Sequence, residues 1–111
     1  MQKDQRASLR AQSVNAHKAG QLDEALKGYA LYLARYPDDA GIWTNLGALY
    51  RSTSRHDMAR IAQARAYALN PDDTGVLNNY SNILSDLGEY EQSIALRQAS
   101  LEKDPSYIMH H

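Results

Sequence analysis

The sequence contains no cysteine, and this absence removes several classes of protein and site. A chain without thiols has no disulfide framework, no thiolate nucleophile and no cysteine-based zinc site. Its stability must therefore come from the packing of side chains. The absence also leaves the redox state of its compartment unconstrained.

Long apolar runs are absent too, and none approaches the length that a membrane-spanning helix needs. The first ten residues, MQKDQRASLR, are too charged to contain the apolar core of a signal peptide. We therefore expect a cytoplasmic protein with no membrane attachment.

The chain lacks an excess of positive charge, because its formal net charge at pH 7 is −1. Strong binding to the phosphates of nucleic acids usually requires a cluster of Lys and Arg. We therefore expect protein or peptide partners and no nucleic acid.

The length of 111 residues, with 43% hydrophobic and 23% charged residues, fits a single small globular domain over 1–111.

Proline is scarce, yet its three occurrences are evenly spaced. Pro37, Pro71 and Pro105 are separated by 71 − 37 = 34 and 105 − 71 = 34 residues. A period of this size is typical of a helical solenoid. The predicted units are residues 6–39, 40–73 and 74–107.

Apolar residues in the central unit follow the period of a helix. Trp43, Leu46, Gly47 and Tyr50 fall at positions i, i+3, i+4 and i+7, which form one stripe of a helix. No stretch of the sequence alternates convincingly like a strand. The pattern therefore predicts an all-α fold.

Each unit is divided in two by a residue at which a helix can end. Gly20, Ser54 and Gly88 stand at equivalent positions, and a second helix is predicted after each, as in GQLDEALKGYALYLARYP. The prolines then end these second helices, because proline has no amide hydrogen and disfavours helical geometry in the residue before it. Each unit is therefore predicted to be a helix-turn-helix.

Two pairs of aspartates follow two of the prolines, Asp38-Asp39 and Asp72-Asp73. Paired carboxylates can bind a metal, but a carboxylate just before a helix is also a common N-cap. The capping interpretation is favoured, and no metal site is predicted.

The central unit carries a set of residues at the spacing of a known signature, namely Trp43, Leu46, Gly47, Tyr50, Ala59, Ala66 and Pro71. The set resembles the tetratricopeptide repeat, a helix-turn-helix unit. Gln63 departs from it, because an aromatic residue is usual there. Tyr32 occupies the position at which Ala66 keeps two helices close, so its ring must either push the neighbouring helices apart or turn outward.

Repeats of this family stack into a right-handed superhelix whose concave groove is lined by the first helix of each unit. The resemblance therefore implies a scaffold that binds an extended peptide or partner protein in that groove. The groove stripe is basic in the first unit and amide-rich with an acidic end in the third, which predicts a polarised site, unless these small charges are merely solvated. The predicted groove residues are Arg10, Val14, His17, Lys18, Thr44, Asn45, Ala48, Arg51, Asn78, Asn79, Asn82, Ser85 and Asp86.

Asn45 and Asn79 lie one period apart, and their amides can donate to and accept from the backbone of an extended peptide. The alternative is that they bind neighbouring helices or face water. Some members of the family hold acidic C-terminal tails of chaperones in a basic clamp. Val14, Gly75 and Asn79 replace polar or basic residues expected for that clamp, which excludes this specific interpretation.

Catalysis by the chain itself is not expected, because no glycine-rich phosphate loop, nucleophile elbow or His-rich helix motif is present. No cofactor is predicted either. An alternative function is the presentation of substrates within a larger enzyme, as in glycosyltransferases, sulfotransferases or methyltransferases that contain similar arrays. RNA binding by a related helical repeat is a third class, but that family has a period nearer 35 residues and basic grooves.

The last residues, 108–111, read as the start of a further unit or as a tag remnant, since His110 and His111 end the chain. We therefore expect a fragment of a longer array. An uncovered apolar flank on the last helix would favour association, so a homo-oligomer through open repeat ends is a further expectation. Two terminal histidines lack the further ligands that a metal site needs.

Overall fold

The computed structural model describes the backbone of residues 2–103 and the side chains of residues 5–103. These residues form helices only, with no strand among them, so the predicted all-α class is confirmed. The proposed start of a further unit at 108–111, with its two histidines and Pro105 before it, lies outside the described residues. The helices are α1 (Gln2–Lys18), α2 (Leu22–Arg35), α3 (Ala40–Ser52), α4 (His56–Leu69), α5 (Thr74–Asp86) and α6 (Tyr90–Lys103).

The turns that divide the units are built alike. Gly20, Ser54 and Gly88 have φ angles of 78°, 63° and 81°, which is the left-handed region. A residue in this conformation after a helix lets the next amide bond back to a free carbonyl of the last turn. The corresponding N–H···O distances are 2.9 Å for Gln21 to Ala16, 2.8 Å for Arg55 to Tyr50 and 2.8 Å for Glu89 to Leu84.

The capping role predicted for the aspartate pairs is confirmed for the second member of each. Asp39 and Asp73 accept hydrogen bonds from the amides three residues further on, at 3.2 and 3.1 Å. Asp38 and Asp72 instead form ion pairs with basic side chains of α1 and α6, at 3.3 and 2.9 Å. Among the side chains of residues 5–103, no three acidic or histidine groups come together as a metal site would require.

The helices form two layers, and the spacing within the layers gives the array its curvature. Helix α3 contacts both α1 and α5, whereas the described parts of α2, α4 and α6 do not approach one another. The first helices of the units are therefore closer together than the second helices. The concave side of the array is consequently lined by α1, α3 and α5, as in other stacked repeats.

The main core lies where α1, α2, α3 and α4 meet. Tyr29 and Ile42 are fully buried in it, and Leu49 is nearly so. Trp43 packs against this core while its indole Nε1 donates to the carbonyl of Pro37 at 2.9 Å. That bond ties α3 to the turn before it.

No helix in the described part of the chain is long and apolar enough to span a membrane.

The ring of Tyr32 does not turn outward, which corrects one of the two alternatives predicted for it. The residue is fully buried. Its hydroxyl donates to Asp39 Oδ2 at 2.7 Å and accepts from Arg6 Nε at 3.0 Å. Because these partners come from α1 and from the cap of α3, the hydroxyl is satisfied without reaching solvent. Helix α2 packs less extensively on α3 than α4 does on α5, as the other alternative expects.

Candidate functional site

The predicted groove residues all lie on α1, α3 and α5, the helices of the concave side. None of them is fully buried, and each is exposed or half-buried. The local cause is the helical period, which places these residues beside the stripe that packs into the core. The structure therefore places them on the same layer of helices, although it does not gather all of them into one site.

Two open clefts lie between α3 and α5. The larger, of about 510 Å³, is lined by Gly47, Ala48, Arg51, Ser52, His56, Gln63, Asn79, Ile83 and Asp86. The smaller, of about 190 Å³, lies toward the beginning of these helices and is lined by Ala40, Gly41, Thr44, Asn45, Asn70, Asp73, Gly75, Val76 and Asn79.

Asn79 is common to both clefts, so they meet at its side chain. The predicted groove residues that the clefts bring together come from the second and third units. They are Thr44, Asn45, Ala48, Arg51, Asn79 and Asp86. The predicted residues of the first unit, and Asn78, Asn82 and Ser85, line neither cleft.

Arg51 and Asp86 face each other across the larger cleft and form a two-point ion pair. The Arg51 Nη2 to Asp86 Oδ1 distance is 3.2 Å. The hydrogen bond from Arg51 lowers the pKa of Asp86, and the nearby His56, at 3.8 Å, acts in the same direction. The pKa of Arg51 is raised by the same bond. Each charge is thus balanced within the cleft.

Arg10 is also committed to an internal partner. Its Nε donates to Asp39 Oδ2 at 2.9 Å, so it supports the cap of α3. Burial acts to raise the pKa of Asp39, but the hydrogen bonds from Arg10, Tyr32 and the Ile42 amide outweigh it and the pKa is lowered. Both arginines of the predicted groove therefore neutralise carboxylates of the same chain.

The asparagines of the groove are partly engaged as well. Asn79 Nδ2 donates to the carbonyl of Gly75 in its own helix at 2.8 Å. Asn82 Oδ1 accepts from Arg97 of α6 at 2.7 Å. These bonds hold the two amides in place. A side chain that already has one fixed partner loses less freedom when it binds a second, so the two amides are prepared for a ligand.

His17, another predicted groove residue, is anchored to the second helix of its unit. Its Nδ1 lies 2.8 Å from the Tyr29 hydroxyl, and the two rings meet edge to face with centroids 5.7 Å apart. The ring is half-buried. This histidine therefore supports packing between α1 and α2.

Gln63 lines the larger cleft, although it is not among the predicted groove residues. It is only 2% exposed and lies on α4. Its Nε2 donates to the carbonyl of Thr44 at 3.1 Å, while its Oε1 is buried without a hydrogen-bond partner. A signal was present in the sequence, since an amide stands there where an aromatic residue is usual. The wall of the cleft is polar as a result.

The chain is similar to known proteins in both sequence and shape. A family profile described as Tetratricopeptide repeat matches residues 40–73. A pentatricopeptide repeat-containing protein of Arabidopsis thaliana is 26% identical over an alignment of 96 residues, and the match covers 81% of this chain. The chain spans only 11% of the length of that relative.

Solved structures of similar shape share little sequence with the chain. The Arabidopsis OM64 TPR domain has a TM-score of 0.83 at 15% identity, over 92% of this chain and 84% of that one. The TPR2B domain of yeast Sti1, in a complex with pHsp70, has a TM-score of 0.81 at 18% identity, over 91% and 81%. The first TPR of Spaghetti (RPAP3), bound to the HSP90 peptide SRMEEVD, has a TM-score of 0.83 at 22% identity, over 90% and 79%.

These likenesses agree with the helix pairs, the left-handed turns and the concave layer described above. Residues 40–73 are therefore a tetratricopeptide repeat, and the chain has the fold of a tetratricopeptide-repeat domain, an all-α helical solenoid.

Proposed function

We propose that this chain is a protein-interaction scaffold that holds an extended segment of a partner protein along α3 and α5. The observation that carries the proposal is the pair of open clefts that meet at Asn79. An extended peptide presents backbone N–H and C=O groups at each residue, and the two clefts offer amide side chains to both kinds of group. Asn45 and Asn79 are the residues proposed to bind the peptide backbone.

The similar structures support a binding role. The TPR2B domain of yeast Sti1 is described in a complex with pHsp70, and the first TPR of Spaghetti with an HSP90 peptide. These structures are only 18% and 22% identical to this chain, so they indicate its fold but not its ligand. The identity of a peptide must therefore be argued from this groove alone.

The charges of the groove favour a neutral, polar segment over an acidic tail. An acidic ligand would have to displace Asp86 from Arg51 or Asp39 from Arg10. The displaced Asp86 or Asp39 would keep fewer hydrogen-bond donors than before, so binding of an acidic ligand would gain little net free energy. The same pairing weighs against RNA, even though the Arabidopsis relative is a pentatricopeptide repeat-containing protein, because phosphates would also compete for these arginines.

The runner-up function is the presentation of a polypeptide substrate within a larger enzyme. It uses the same groove and differs only in what is joined to the chain. The two functions make the same prediction for the groove residues, so the first experiment concerns peptide binding itself.

The test begins with selection of peptides that bind the chain from a random-sequence display library. Affinity for a selected peptide is then measured by calorimetry with the parent chain and with the double variant Asn45→Ala, Asn79→Ala. Loss of two amide hydrogen bonds should weaken binding by about tenfold or more, at roughly 1 kcal/mol for each bond. Circular dichroism should find the double variant folded, since both side chains are only half-buried.

Asn15→Ala is the matched control, because Asn15 is an exposed asparagine of α1 that lines neither cleft. It should leave affinity unchanged. Equal affinity of the double variant and the parent for every selected peptide would refute the backbone-binding role of the two amides.

A further inference from the structure

Three side-chain atoms in the described part of the chain are buried without a hydrogen-bond partner, namely Thr44 Oγ1, Gln63 Oε1 and Glu89 Oε2. Two of them belong to residues that line the clefts between α3 and α5, since Gln63 lines the larger cleft and Thr44 the smaller. Buried polar atoms are nearly always paired in folded proteins, so each exception calls for a physical explanation.

The exception at Gln63 is the sharper of the two, because the whole residue is only 2% exposed. An aromatic residue is usual at this position of the repeat, and its ring would fill the space without bringing in a polar atom. A glutamine brings an acceptor into the interior instead, which costs stability unless something donates to it. A group that breaks a packing rule in this way is expected at a functional site.

The position of the Gln63 amide is fixed by α3. A Cβ atom on Gly47 would lie 2.7 Å from Gln63 Cδ, so the amide lies directly against the backbone of α3 where that residue has no side chain. Nε2 donates to the carbonyl of Thr44 at 3.1 Å, and this bond determines which end of the amide is engaged. Oε1 is therefore the end that remains for a ligand.

The charges of the larger cleft favour a neutral ligand group at this point. Asp86, the acidic residue in its lining, already pairs with Arg51. A lysine or arginine side chain of a ligand would therefore add a charge without an available carboxylate, and burial of an unbalanced charge is costly. An apolar side chain would leave Gln63 Oε1 unpaired.

Asn79 adds a donor to the same cleft. One N–H of its Nδ2 is given to the carbonyl of Gly75 at 2.8 Å, and a primary amide has a second N–H. The cleft thus combines an acceptor on Gln63 with a donor on Asn79. A ligand group that both donates and accepts matches this pair, and a side-chain amide does both.

We infer that the larger cleft binds the side-chain amide of an asparagine or glutamine in the partner segment, which donates to Gln63 Oε1. The inference rests on the proposed function, because it names a side chain of the segment that lies in the groove. The cleft volume of about 510 Å³ leaves room for such a side chain.

Oε1 is covered by its neighbours in the empty cleft, so binding includes a turn of the Gln63 amide. The last torsion of a glutamine has a broad range, and Nε2 has two N–H groups with which to remain near the Thr44 carbonyl. Because the acceptor has already lost its water in the free chain, the ligand does not have to displace any from it. A donor at this point is therefore rewarded more than one that meets a hydrated acceptor.

The test uses the peptides that the display selection yields. Each asparagine or glutamine of a selected peptide is replaced in turn by leucine or methionine, and affinity is measured by calorimetry with the parent chain and with Gln63→Met. One such replacement should weaken binding to the parent by about tenfold or more, and binding to Gln63→Met by about twofold or less. Methionine has a similar volume and offers no comparable acceptor, so the peptide amide loses its partner there.

Gln98→Met is the matched control, because Gln98 is an exposed glutamine of α6 that lines neither cleft. It should show the same loss as the parent, and circular dichroism should find both methionine variants folded. A second readout needs no variant. In NMR spectra of the isotope-labelled parent, the peptide should shift the side-chain NH₂ signals of Gln63 and leave those of Gln98 in place.

The outcomes separate this inference from the proposed function. A selection that yields no binding peptide refutes the proposed function, and the inference with it. Peptides that depend on Asn45 and Asn79 but contain no amide side chain, or that lose equal affinity for the parent and for Gln63→Met, overturn the inference alone. Unshifted Gln63 signals in the bound parent would overturn it as well.

Discussion

Gly47 and Gln63 form a close contact whose energetics can be tested by substitution. Gly47 lies on α3 where that helix crosses α4. A Cβ atom placed on it would lie 2.7 Å from Gln63 Cδ and 2.9 Å from Gln63 Cγ. Ordinary carbon contacts are about 3.5–4.0 Å, so the Gln63 side chain would have to move by roughly 0.6–1 Å. Its bond to the Thr44 carbonyl and its burial oppose that movement.

Two opposing effects decide the sign of Gly47→Ala. Alanine favours the helix over glycine by about 1 kcal/mol. Overpacking against a held neighbour costs about 1–3 kcal/mol. The net expectation is a destabilisation of about 1 kcal/mol. In a Gln63→Ala background the clashing atoms are gone, so the same substitution should stabilise by about 1 kcal/mol, and the coupling between the two sites is about 2 kcal/mol.

The assay is urea unfolding of the four proteins of this double-mutant cycle, followed by circular dichroism at 222 nm and extrapolated linearly to water. The change of sign between the two backgrounds is the decisive result. Stabilisation by Gly47→Ala in the parent background would refute the reasoning, because it would mean that Gln63 moves at no cost.

Three further predictions rest on the turns and contacts described above and are checked by the same unfolding assay. Ser54→Gly should stabilise by about 0.5–1 kcal/mol, because glycine adopts the left-handed φ of 63° without strain; Gly88→Ala should destabilise by a similar amount, and equal signs would contradict the turn geometry. Tyr32→Phe should destabilise by about 1–3 kcal/mol, since a buried donor to Asp39 is lost; a neutral result would mean that water replaces the hydroxyl. The hydrogen bond from Arg51 lowers the pKa of Asp86 in the folded state, so the unfolded chain takes up a proton at a higher pH than the folded chain does. The ion pair therefore adds stability above about pH 4, and this stability is lost as the pH falls through the folded-state pKa. Asp86→Asn should flatten the acid limb of the stability profile, and an unaltered limb would mean that the ion pair adds nothing.

The features that follow from sequence are those with local causes. A helix must end before a left-handed residue and begin after a capping carboxylate, so Gly20, Gly88, Asp39 and Asp73 could be assigned their roles from their neighbours alone. The period of 34 then repeats each assignment, which is why Ser54 could be recognised as a turn residue without being glycine. Helical phase is equally local, and it places the groove residues on α1, α3 and α5.

The features that sequence does not yield depend on contacts between units. Arg10 and Asp39 are 29 residues apart, and Arg51 and Asp86 are 35 apart. Whether such side chains meet depends on the rotation between successive helix pairs, which no local pattern determines. The prediction of a charge gradient along the groove treated these residues as separate charges. Because each arginine is paired with a carboxylate, the gradient is weaker than the separate side-chain charges imply.

The same pairing also bears on how the groove would bind a ligand. In the groove a ligand exchanges hydrogen bonds with side chains such as Asn79 that already have partners, and the net gain from each exchange is about 1 kcal/mol. The groove should therefore contribute more to selectivity than to affinity, since an unmatched amide or ion pair there penalises the wrong ligand.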